Sequence, residues 1–219
     1  MATLYATSYS SNARKAVALA HQLGLRPPQL EIVDVNVYAG EGQSPDYLEV
    51  NPFGRVPALV DGELMLWESN ALLIYLSEAY GDDRYWSRDA KQRADIARWL
   101  FWESAHFQPT LTEVIGQHAG HIMVPALVDP PKGPCDWDAR GLTPLLKHLE
   151  TRLAERPYLA GAEPTLADFS VIAMTIYFER LDFPFARYPS LGGWYRRVHA
   201  LDGWRHTNGQ PWRVELAEP

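Results

Sequence analysis

Apolar residues recur with two different spacings along this chain of 219 residues, and the two spacings divide it. Over the first 80 positions, strand-like alternation and helical spacing take turns. Residues 3–6 read as a short strand. From Ser11 to Leu23 the spacing is helical, with Ala16, Val17, Ala20 and Leu23 on one face and Gly24 placed to end the helix. Leu30, Ile32 and Val33 interleave with Glu31 and Asp34, which predicts a second strand over residues 30–35. A loop with Gly40, Gly42 and Pro45 follows. Residues 58–60 and 64–66 are strands around Asp61-Gly62, a strong hairpin signal. Residues 68–80 are helical, with Leu72, Leu73, Leu76 and Ala79 turned inward. The order β-α-β, loop, β-β-α predicts an α/β layer with a mixed four-stranded sheet.

After residues 81–87, a linker with Gly81 and two aspartates, strand signals vanish. Residues 88–116 form one long amphipathic helix, and prolines and glycines make a loop of 125–134. A second helix spans 137–154, with Leu142, Leu145, Leu146, Leu149 and Leu153 on one face. A third starts at Thr165, where Thr165 and Asp168 have capping-box spacing, and buries Phe169, Ile172, Ala173 and Ile176. A fourth follows Pro189. The expected domains are therefore 1–80, α/β, and 88–219, all-α, joined by 81–87.

Charge and cysteine content narrow the partners. The net charge is −7, from 27 acidic and 20 basic side chains, which argues against nucleic acid or an anionic membrane. Arg196-Arg197 reads as a solvated helix face. A single cysteine, Cys135, excludes an intrachain disulfide. The chain opens on a strand pattern rather than a signal peptide, and its most apolar run, 169–178, is too short to span a bilayer. A reducing cytoplasm is the expected compartment.

Three segments carry candidate chemistry. Pro57 stands directly before a strand. It is either an ordinary edge proline or a cis X-Pro turn that leaves the Val56 N–H and C=O open to a peptide-like ligand. Glu68-Ser69 opens a helix, as a plain cap or as a carboxylate site built on the free N–H groups there. Ser10, with Ser11 and Asn12 behind it, opens the first helix and is likewise a cap or a site.

The run Ser44-Pro-Asp-Tyr-Leu-Glu-Val-Asn-Pro-Phe-Gly-Arg-Val-Pro-Ala-Leu, followed by Glu68-Ser69-Asn-Ala, resembles the glutathione-binding domain of cytosolic glutathione S-transferases. The wording is closest to the phi and theta types and their bacterial relatives. Arg156-Pro-Tyr-Leu-Ala-Gly and Pro164-Thr-Leu-Ala-Asp168 resemble the same family's helical domain, so the likeness covers nearly the whole chain. It implies a thioredoxin-like first domain, glutathione as co-substrate, no metal, and a homodimer. It implies that Val56 and cis Pro57 hold the cysteinyl backbone, that Glu68 and Ser69 hold the γ-glutamyl end, and that Arg55 contacts the tripeptide. Ser10 falls at the catalytic serine, with Ser11 and Asn12 as the fallbacks. The chain departs from the pattern at Gly42-Gln43, where a His-Lys pair is common for the glycyl carboxylate; Gln43 and Arg55 are the side chains left for that end.

The implied activity is transfer of glutathione to an electrophilic apolar compound, with the helical domain completing the electrophile's pocket and Tyr9, His106 and Phe107 as its candidate residues. A glutathione-dependent isomerase, lyase or dehalogenase fits the same scaffold, and a non-catalytic assembly module is a third reading. The first domain lacks cysteine, which argues against dithiol exchange, and Cys135 reads as a bystander. His118 and His121 could share a helix face, but no carboxylate stands at a telling distance for a metal.

Overall fold

The computed structural model describes residues 1–123 and 128–207. Its described residues form two compact units, residues 1–88 together with 199–207, and residues 89–198.

The first unit is the expected α/β layer. Strand β1 (Ala2–Ala6) alternates buried Ala2, Leu4 and Ala6 with half-buried Thr3 and Tyr5, as a strand covered on one face requires. It pairs in parallel with β2 (Leu30–Asp34) and antiparallel with β3 (Ala58–Asp61), and β3 pairs antiparallel with β4 (Leu64–Trp67). The sheet order is β2-β1-β3-β4, a mixed four-stranded sheet. A parallel neighbour needs a crossover, and helix α1 (Ser11–Gln22) supplies it. The hairpin turn sits one residue later than its sequence signal: Asp61 ends β3, opposite Leu64, and Gly62 takes the positive φ of +59°. Asp61 is instead a receptor for the hydroxyls of Tyr75 and Tyr80, and those two hydrogen bonds hold its carboxyl below the usual range.

Between the layers, the loop expected around Pro45 contains a short helix, α2 (Pro45–Val50), capped by the Ser44 hydroxyl. Helix α3 (Ser69–Tyr80) buries Leu72, Leu73, Leu76 and Ser77; Ala79, expected inside, is exposed in its last turn. The linker is not loose. Tyr85 and Trp86 are buried, and the Trp86 indole donates to the Glu78 carboxylate at 2.9 Å.

In the second unit, α4 (Ala90–Trp102) runs through a π turn at Glu103–Phe107 into α5 (Gln108–Met123). The expected single helix is therefore longer than predicted and carries a bulge, where buried Glu103 accepts the Ser170 hydroxyl at 3.1 Å. The predicted loop is present from Val128 onward; positions 124–127 lie outside the described residues. Helix α6 (Leu142–Glu155) starts five residues later than expected because Arg140 and Gly141 have φ of +56° and +77°. Helix α7 (Leu166–Ile172) has the predicted capping box, and α8 (Pro189–His199) follows. Asp168, fully buried, accepts from the Thr165 N–H (2.8 Å), the Leu159 N–H (2.9 Å) and the Trp194 indole (2.8 Å). Burial pushes its carboxyl up, and these donors pull it back.

Residues 199–207, expected with the helical domain, pack instead with the first unit. Helix α9 (Asp202–His206) lies on α1. The Gly203 N–H donates to the Gln22 side chain at 3.0 Å, and a Cβ at 203 would overlap the Ala18 carbonyl group. Arg14 donates to the Thr207 hydroxyl at 2.9 Å and lies 4.8 Å from the Trp204 ring centroid. Only the missing side chain permits this approach, so Gly203→Ala should lose about 2 kcal/mol or more, read as a lowered melting temperature with the α/β circular-dichroism signature retained.

Candidate active site

Strand β1 ends against the mouth of α1. Ser10 is the N-cap of that helix, with φ −86° and ψ 113°. Its Oγ accepts the Ala13 N–H at 3.1 Å, and its carbonyl accepts the Arg14 N–H at 2.9 Å. A hydroxyl that accepts from the helix keeps its own proton to donate. Ser11 and Asn12 are the first two helical residues, and Asn12 Oδ1 accepts the Ser69 hydroxyl at 3.5 Å. The openings of α1 and α3 are thus brought side by side within the first unit. Tyr9 meets Tyr38 edge to face, with ring centroids 6.2 Å apart, and burial pushes the Tyr38 phenol up.

Glu68 precedes Ser69 with φ +74°, a conformation that a residue with a side chain adopts at a cost of about 1–3 kcal/mol. Its side chain is exposed and makes no cap bond, so local capping does not account for the strain.

The turn before β3 lies at the same end of the sheet as the end of β1, since Ala58 pairs with Tyr5. The Val56–Pro57 peptide is cis. Val56 is half-buried, and among the described residues neither its N–H nor its C=O is taken by a turn or loop hydrogen bond. The turn is fixed from behind. The Arg55 carbonyl accepts both the Asn51 amide at 2.6 Å and the Tyr47 hydroxyl at 2.7 Å, and Asn51 Oδ1 accepts the Phe53 N–H at 3.1 Å. Asn51 and Tyr47 are buried, whereas the Arg55 side chain is exposed. These two positioning residues were not among those singled out in the sequence. The Asn-Pro-x-Gly stretch was a turn signal that could have found Asn51; nothing local pointed to Tyr47. Gly42 is buried against Gly54, where a Cβ on either would overlap the other's carbonyl oxygen or the Gln43 amide. Gln43 is thereby brought to the same loop as Arg55.

Elsewhere the predicted residues separate. His106 is exposed on the π turn. Phe107, expected at a substrate pocket, has no exposed surface and stacks on Trp102 at 5.2 Å; it is a core side chain of the helical unit. His118 and His121 direct ring nitrogens to the carbonyls of Gly133 (2.9 Å) and Val128 (2.7 Å), so they fasten the following loop to α5. Among the described residues no cluster of three or more potential metal ligands occurs. The Cys135 thiol, facing the Val114 carbonyl, is pushed up to about 11, first by burial and then by Asp136.

Comparison with known proteins places the chain in a family. Residues 2–78 match the model of the glutathione S-transferase N-terminal domain, and residues 139–197 that of the glutathione S-transferase C-terminal domain. Glutathione S-transferase F13 of Arabidopsis thaliana is 34% identical over 179 residues, covering 80% of this chain and 79% of the relative. The chain belongs to the glutathione S-transferase family. A probable glutathione S-transferase, GSTF2, of Oryza sativa subsp. japonica is also 34% identical, over 79% of each chain. Glutathione transferase F2 of Populus trichocarpa has a TM-score of 0.79 at 26% identity, covering 94% of this chain and 96% of that one. An epsilon-class glutathione S-transferase of the housefly Musca domestica gives 0.80 at 25%, covering 96% and 93%. The protein is a phi-like glutathione transferase, an enzyme with glutathione as its co-substrate, and the assembly-module reading falls away.

Two outcomes follow for this transferase. Asn51→Ala removes both the donor to Arg55 and the acceptor for Phe53; stability should fall by about 1–3 kcal/mol, and calorimetry should show weaker glutathione binding. Cys135, held protonated at pH 8, should label with a thiol reagent about tenfold or more slower in the native protein than in the unfolded chain.

Proposed function

We propose that Ser10 donates its hydroxyl proton to the sulfur of bound glutathione and keeps that sulfur ionised for attack on an electrophilic apolar compound. The observation that carries this is the geometry of Ser10: its Oγ is fixed by the Ala13 N–H at the mouth of α1, with its own proton uncommitted to the helix. A free thiol titrates near ~8.5. Lowering that by about two units takes roughly 2.7 kcal/mol of differential stabilisation. One hydrogen bond to a charged group contributes about 1.5–3 kcal/mol, and the helix N-terminus adds to it. The serine is a donor, not a nucleophile, so it needs no His or Asp partner.

In this reading Val56 pairs with the cysteinyl backbone, Ser69 and strained Glu68 take the γ-glutamyl end, and Arg55 with Gln43 takes the glycyl carboxylate. Residues 1–80 serve as the glutathione-binding domain and the helical part as the electrophile's. Tyr9, with Tyr38 against it, is the aromatic candidate beside the sulfur, and His106 is the helical unit's candidate. No helix among the described residues is long and apolar enough to cross a membrane, and we place the enzyme in the cytoplasm.

A homodimer belongs to the same proposal. Phe53 is 60% exposed and lies edge-on to half-exposed Trp67, centroids 4.9 Å apart. The helical unit carries an open aromatic cavity of about 380 Å³ lined by Arg98, Trp99, Trp102, His148 and Arg152. Phe53 of one copy entering that cavity on a second copy accounts for both.

Thiolate absorbance of bound glutathione, followed across pH, tests the mechanism. Wild type should show thiolate at neutral pH and Ser10→Ala should lose it, with kcat/KM falling about 100-fold, the equivalent of that two-unit shift. Loss confined to Ser11→Ala or Asn12→Ala would move the role along the turn, and an unchanged Ser10→Ala would end it. Phe53→Ser should sediment as a monomer where wild type sediments as a dimer.

A further inference from the structure

Directly before Ser10 the chain carries a tyrosine whose hydroxyl the thiolate mechanism does not use. Strands β1 and β2 are parallel, so the segments leaving their C-terminal ends emerge at one end of the sheet, the end where open α/β sheets bind ligands. Tyr9 follows β1 there, and Tyr38 follows β2. A turn closed by the Ser10 N–H on the Thr7 carbonyl at 3.1 Å sets Tyr9 immediately before the cap of α1. Tyr38 is carried by a single helical turn (Val37–Ala39). The Asn36 side chain caps that turn at the Ala39 N–H, 3.1 Å, and Glu41 accepts the Asn36 N–H at 2.7 Å. The rings of Tyr9 and Tyr38 meet at 87°. Such a corner takes a flat conjugated molecule face-on against one ring and edge-on against the other. The hydroxyls of Tyr47, Tyr75 and Tyr80 are committed to Arg55 and Asp61. Among the described residues the Tyr9 hydroxyl has no hydrogen-bond partner, and its ring is half-buried against Tyr38.

We propose that Tyr9 is a further catalytic residue: its hydroxyl donates a hydrogen bond to the oxygen that gains charge when glutathione adds to an α,β-unsaturated carbonyl compound. The inference rests on the Ser10 reading, which supplies the thiolate. In that addition the sulfur forms a bond to the β-carbon. The C=C π pair shifts toward the α-carbon and the carbonyl oxygen, and an enolate results. Water then protonates the α-carbon. The proton that the thiol gave up to solvent is thereby returned, thiol and enone sum to the conjugate, and nothing leaves. Position favours this class of electrophile over alkyl halides. The sulfur is held at Ser10, and the enolate oxygen lies several bonds away from it. A phenol extends farther from the backbone than a serine hydroxyl, so neighbouring residues of these two lengths serve the two atoms. At an alkyl halide the halide departs opposite the sulfur, away from a donor beside it. A hydroxyl without an internal partner has no protein bond to break before it meets the developing charge. It can therefore stabilise the transition state more than the ground state.

Tyr9→Phe removes the hydroxyl and keeps the ring against Tyr38, so the fold is not at stake. In the full-length protein, kcat with benzylideneacetone should fall about ten- to a hundredfold. That is at or below the loss for a preorganised oxyanion donor, because Tyr9 is only half-buried. KM for the enone should hold, and the ratio of this kcat to the one with benzyl chloride should fall by the same factor. The thiolate absorbance of bound glutathione should stay as in wild type. Equal losses on the two electrophiles, or a loss confined to KM, reduce Tyr9 to an aromatic wall and overturn the proposal. A wild type inert toward benzylideneacetone overturns it as well. Should benzyl chloride not react, the thiolate absorbance is the control. Unchanged enone turnover in Tyr9→Phe, beside a Ser10→Ala that loses its thiolate, overturns this proposal alone. A Tyr9→Phe enzyme that loses the thiolate moves the sulfur's donor from Ser10 to Tyr9 and overturns both readings.

Discussion

Helix α1 is buried along every residue from Ala13 to Ala20, and the site depends on that confinement. A surface helix shows one apolar stripe, and its end can tilt or fray; a helix walled on several sides cannot. Here β1 and α3 take one side and α9 another, and small residues let them close in: Ala13, Ala16, Ala18 and Ala20 on α1, Gly203 on α9. Arg14 and Lys15 are carried inside with the rest, each supplied with a partner, Thr207 for one and Asn70 for the other. The mouth of α1, with the Ser10 hydroxyl on it, therefore has a fixed place relative to Ser69 before any ligand arrives. A site that stabilises an anion through a few hydrogen bonds gains from such preorganisation, because no reordering is required when charge develops.

The second half of the site is held by a different device. Strand β3 begins after a turn whose backbone is left open at Val56, and a turn with open groups needs support from elsewhere. Asn51 and Tyr47 provide it by converging on the Arg55 carbonyl. The Tyr47 ring also packs with Val35, Ala58 and Tyr5, so the turn is tied to the small core on that side of the sheet. Burial and the neighbouring Tyr5 push the Tyr47 phenol far above its ordinary range, which keeps it a donor at any physiological pH.

Local pattern reached the elements and their order because alternation, capping and turn residues act within a few positions. It found the Thr165–Asp168 cap, the Asp61-Gly62 hairpin to within one residue, and Ser10 as a helix opening. It missed what depends on distant partners. Leu23 and Ala79 were assigned to buried faces by spacing alone, yet Leu23 is only half-buried at the cap and Ala79 is exposed. Phe107 sat in an aromatic band that spacing could not divide into core and pocket. The return of α9 to α1 is a contact between positions 18 and 203, and no window of sequence contains both. The Lys15–Asn70 bridge was illegible for the same reason, since its two ends stand 55 positions apart on different helices.

Gly42-Gln43, where the family pattern has a His-Lys pair, has a physical cause in the opposing loop. Gly54 takes φ +61°, and its carbonyl comes so close to Gly42 that no Cβ fits between them. A histidine at 42 would have to move the loop that carries Arg55 and Val56. In the proposed reading, the loss of two side chains for the glycyl carboxylate is therefore coupled to the close packing behind the Val56 turn. Arg55 is exposed at that turn, with its carbonyl doubly anchored, and Gln43 lies against Gly54 beside it. One guanidinium on a fixed backbone can pair with a carboxylate through two parallel hydrogen bonds. In the proposed reading, charge for the tripeptide's far end is concentrated on the residue whose backbone the turn already holds, and the close-packed pair of glycines permits that arrangement.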